Sequence, residues 1–125
     1  MDFQAEREKI LDALEPFNLN EATHLGQNQI TPAVIVNPDD FEYSFTMDGD
    51  INPNWIVSLI VSYTDPPAAR AQVELWITPD SGESVVDALD DIEGVSVTGC
   101  RNVGAFSGPG ETVYFGAELV CSIIE

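Results

Sequence analysis

Basic residues are what this chain has least of. Its 125 residues include 4 Lys plus Arg against 22 Asp plus Glu, a net charge of -18. A surface of that sign repels phosphate, so gripping nucleic acid or anionic lipid through backbone phosphates is excluded. Three roles for the acidity stay open: solubility, including in a salt-rich setting, contact with a basic partner, or the lining of a passage through which DNA slides without sticking. Long apolar runs are also missing. None approaches the ~20 residues of a membrane span, and the start, MDFQAEREKI, reads as a charged helix rather than a secretory signal. Histidine occurs once, at His24, with no orienting partner nearby in sequence, and reads as a surface residue. The chain has neither a Cys-x-x-Cys nor a Gly-x-Ser-x-Gly motif. The glycines of GAFSGPGE lack the lysine and the spacing of a phosphate loop.

The hydrophobic share, 44%, is enough for one core, so residues 1–125 are expected to form a single domain. The stretch from Trp55 to Ile77 organises the rest. Trp55, Val57, Leu59, Val61 and Tyr63 fall on one face at period two, the pattern of a strand packed on a core. The other face, Ile56, Ser58, Ile60 and Ser62, is half polar, which predicts only partial cover. Asp65 then suits an N-cap and Pro66 a first helical position. Ala69, Val73 and Trp76 follow at helical spacing.

Ahead of that stretch, Phe3 to about Leu14 reads as an amphipathic helix ended or kinked by Pro16, and Asn18 to Thr31 as a surface connection. Ala33 to Asn37 reads as a short strand. Phe41 to Met47 reads as another, with alternating residues turned inward and an antiparallel pairing to the Trp55 strand. After it, Ser84 to Ile92 predicts a short helix stopped by Gly94. Val95 to Val103 and Val113 to Ile124 predict a hairpin of strands, with Gly104 to Thr112 as a flexible loop exposing Phe106. The expected class is α+β, a mostly antiparallel sheet of about five strands with helices on one face, in the order α-β-β-β-α-α-β-β. In the register that turns Val95 and Val97 to the same side as Cys121, Cys100 points away from Cys121. That register predicts two free thiols unless a bulge shifts it. Free thiols fit a reducing site of synthesis.

Chemistry-bearing patterns are sparse. Asp48, Asp50, Asn52 and Asn54 alternate oxygen ligands like the start of a calcium loop. Pro53 stands where the turn glycine belongs and Leu59 where the bidentate acid belongs, so they read as a polar hairpin loop. Asp87, Asp90, Asp91 and Glu93 crowd a short helix and read as its solvated side. Catalytic, metal and cofactor sites are therefore not expected.

An ordered set of segments resembles the tail terminator family, small head–tail neck proteins of long-tailed phages and related viruses. The set is VIVNPDDFEYSF, the WIVSLIVSY strand, the TDPPAARAQVELWI helix, ITPDSGESVVDALDD, VSVTGCRNVG and the closing YFGAELVCSII. Ser84, Val85, Val86, Asp87, Ala88 and Leu89 match the family's short "S-V-x-x-A-L" helix, and Tyr114 to Glu118 its tyrosine–x–glycine–alanine–glutamate run. The resemblance spans about Val34 to Ile124. The first 30 residues match in helix placement only, and the scarcity of Lys and Arg departs from any family contact made through basic residues.

The resemblance implies a virion protein of the neck, made in the host cytoplasm and not an enzyme. It would be a hexameric ring that caps the head-proximal end of the tail tube, ends tube growth, and meets the tube protein and a head connector or stopper. DNA would pass an acidic lumen without specific binding. The loops Asp48 to Asn54 (Asp48, Asp50, Asn52, Asn54) and Gly104 to Thr112 (Phe106) are the expected contacts with neighbouring subunits or partners. Another connector or stopper is the nearest alternative. An acidic DNA mimic that occupies a host protein is the alternative of a different class.

Overall fold

The computed structural model describes residues 3–22, 30–39, 54–108, 110 and 112–123. The elements follow the expected order. They are α1 (Phe3–Ala13) with a 3-10 turn (Glu15–Phe17), β1 (Asn20–Ala22), β2 (Ala33–Pro38), β3 (Trp55–Ser62), α2 (Pro66–Ile77), α3 (Val85–Asp90), β4 (Val95–Ser107) and β5 (Val113–Ile123). The strands form one sheet in the order β1-β2-β3-β5-β4. Every pair is antiparallel except β1 with β2, and the helices pack on one face. The fold is α+β.

Two local readings change. Asn20–Ala22, within the stretch expected to be a surface connection, forms a short strand parallel to β2. Three residues are too few to show a hydrophobic period, and tertiary pairing supplies what the sequence pattern lacks. The strand expected at Phe41 to Met47 lies outside the described residues. The last hairpin is longer than its apolar pattern suggests, because β4 runs on to Ser107.

The helix-facing side of the central strand behaves as its alternation predicts. Ile56 and Ile60 on the half-polar side are buried as well, more cover than that side's pattern suggests. Trp55, Val57, Leu59 and Val61 face the helices and are buried with Val34, Val36, Phe115, Leu119 and Cys121. Above them sit Ile10 and Leu14 of the N-terminal segment, Ala69, Val73 and Trp76 of α2, and Val85 and Leu89 of α3. Each such aliphatic side chain contributes about 1.5–3 kcal/mol by leaving water. Local chemistry starts the helices where it should. Asp65 accepts the Ala68 N–H at 3.3 Å, and Ser84 accepts the Asp87 N–H at 3.1 Å. One of the few cations pins α1 to the sheet. Arg7 Nε donates to the Val36 carbonyl at 3.0 Å, and its guanidinium lies 5.8 Å from the Trp55 ring centroid.

β4 is bulged twice, between Val97 and Gly99 and between Arg101 and Gly104. The first bulge breaks the parity on which the thiol expectation rested. Cys100 lies opposite Leu119, on the side of Cys121 rather than away from it. Both thiols are nonetheless free, Cys100 exposed and Cys121 buried.

Candidate functional site

The side of the sheet away from the helices carries Ala33, Ile35, Ile60, Phe106 and Tyr114 as a small second cluster. Its floor is shaped by two glycines. Gly104 of β4 and Gly116 of β5 are register partners, so no side chain rises between them. A side chain at Gly116 would run into the Leu59 carbonyl oxygen, which fixes glycine there. The Phe106 ring lies over this gap, 3.4 Å from where a Gly116 Cβ would sit and 5.9 Å from the Tyr114 centroid. Phe106 is therefore half-buried on a strand rather than exposed on a loop. Beside it opens a concavity of about 560 Å³ bounded by Ile35, Ser58, Ile60, Phe106, Asn102 and Glu118.

A polar group rims the hollow. Arg101 lies 3.8 Å from Glu118 and 3.6 Å from Asp39, and the Asn102 amide donates to the Glu118 carboxylate. Asn102 takes a positive φ of 54° at the second bulge. The sequence pattern gave no hint of this group, because an unpredicted bulge and a β2-end acid 62 residues from Arg101 (101 − 39) bring it together.

Of the expected contact residues, Asp48, Asp50 and Asn52 lie outside the described residues, as does His24. Asn54 is exposed just before β3, and its carbonyl accepts the Asp39 N–H at 2.7 Å, closing the strand end. Asn54 and Phe106 therefore sit at different places on the sheet, one at the start of β3 and one on β4.

The acids of α3 do more than face water. Asp87 accepts the Asp80 N–H at 2.8 Å, and Asp90 accepts the Val97 N–H at 2.8 Å. Among the described residues no three His, Cys, Asp or Glu side chains gather as a metal site would require, and no helix is long and apolar enough to cross a membrane. Burial, and secondarily the Asp90 carboxylate, pushes the Cys121 thiol up to about 12. Burial also raises Cys100. Neither is an activated thiolate. Compared with known proteins, the chain matches no family model and no curated protein.

Proposed function

We propose that this chain is a structural protein of a viral neck, a tail terminator. It would form a ring on the head-proximal end of the tail tube, stop tube growth and join the tail to the head. The observation that carries the reading is a sheet that ends in a 13-residue edge strand, β4, with no described strand beyond it. Such an edge is a pairing hazard in a solitary protein and a joint in an assembly. The ordered segments that resemble the family supply the direction of the reading. In a ring of such chains, acids on helices and turns would line a passage from which phosphate is repelled.

A second reading has its own support. The described acids crowd on helices and turns and nearly vacate the strands, and such crowding of carboxylates is what a DNA mimic would need.

Imaging virus particles assembled without this chain separates the readings. A terminator predicts overlong tubes of variable length detached from filled heads. Normal-length tails that fail to join heads would make it a connector or stopper. Normal infectious particles would contradict the neck reading and favour the mimic.

A further inference from the structure

We draw no further inference here: the strongest candidate, the hollow of about 410 Å³ between the C-terminal turn of α1 and β1, where Asp12, Glu15 and Glu21 rim a floor of Leu14, Leu19 and Val34, rests on an acidic cluster with no second feature pointing to what it would hold.

Discussion

Gly116 shows how one position constrains both the strand pairing and the seat of Phe106. A methyl group there meets the Leu59 carbonyl across the β3–β5 pair, so Gly116→Ala should destabilise the fold by about 1–3 kcal/mol in denaturant titration. Gly99→Ala has open space around its new methyl and should stay within about 0.5 kcal/mol of the parent. Tyr114 is the converse case. Its hydroxyl is buried with no hydrogen-bond partner among the described residues. Tyr114→Phe should therefore be neutral or stabilise by up to ~1 kcal/mol. The cysteines separate by access. A thiol reagent should modify Cys100 in the native protein and Cys121 only on unfolding. Cys121 also predicts a pH dependence. The unfolded thiol ionises near 9.0, while the folded one keeps its proton to about 12. Between those values the folded state binds more protons, so stability falls as pH rises. Melting midpoints should drop across that window, and Cys121→Ala should flatten the slope even as it lowers the midpoint.

The elements differ in how far their sequence announces them. β3 and α2 were legible because each carries an unbroken period, and Asp65 and Pro66 mark the junction between them. β1 was not, since three residues have no period and the strand exists only because β2 accepts it. β4 was half legible. Its start alternates, but two bulges insert residues, reverse the facing of Cys100 and carry the strand into glycine-rich sequence that reads as loop. The same bulges assemble Arg101, Asn102, Glu118 and Asp39, which explains why that rim was invisible in sequence. α3 has six residues and depends on its cap. Ser84→Ala should cost about 1 kcal/mol and Asp90→Ala a similar amount. Hydrogen exchange should show the Asp90 change loosening the start of β4 through Val97, whereas the Ser84 change loosens α3.

At the scale of the whole molecule, charge dominates. Self-repulsion among 22 acids and 4 bases works against the compact state, so the melting midpoint should climb as salt rises from about 0.05 M to about 1 M. A flat response would mean that the acids are spaced too widely to interact. Among the described residues the acids lie on helices and turns, with only Glu21 and Glu118 on strands. The most direct test is an electron-microscopic reconstruction of the head–tail junction in purified virions. The account predicts a ring of this α+β fold at the top of the tail tube. A junction built entirely from other chains would contradict it.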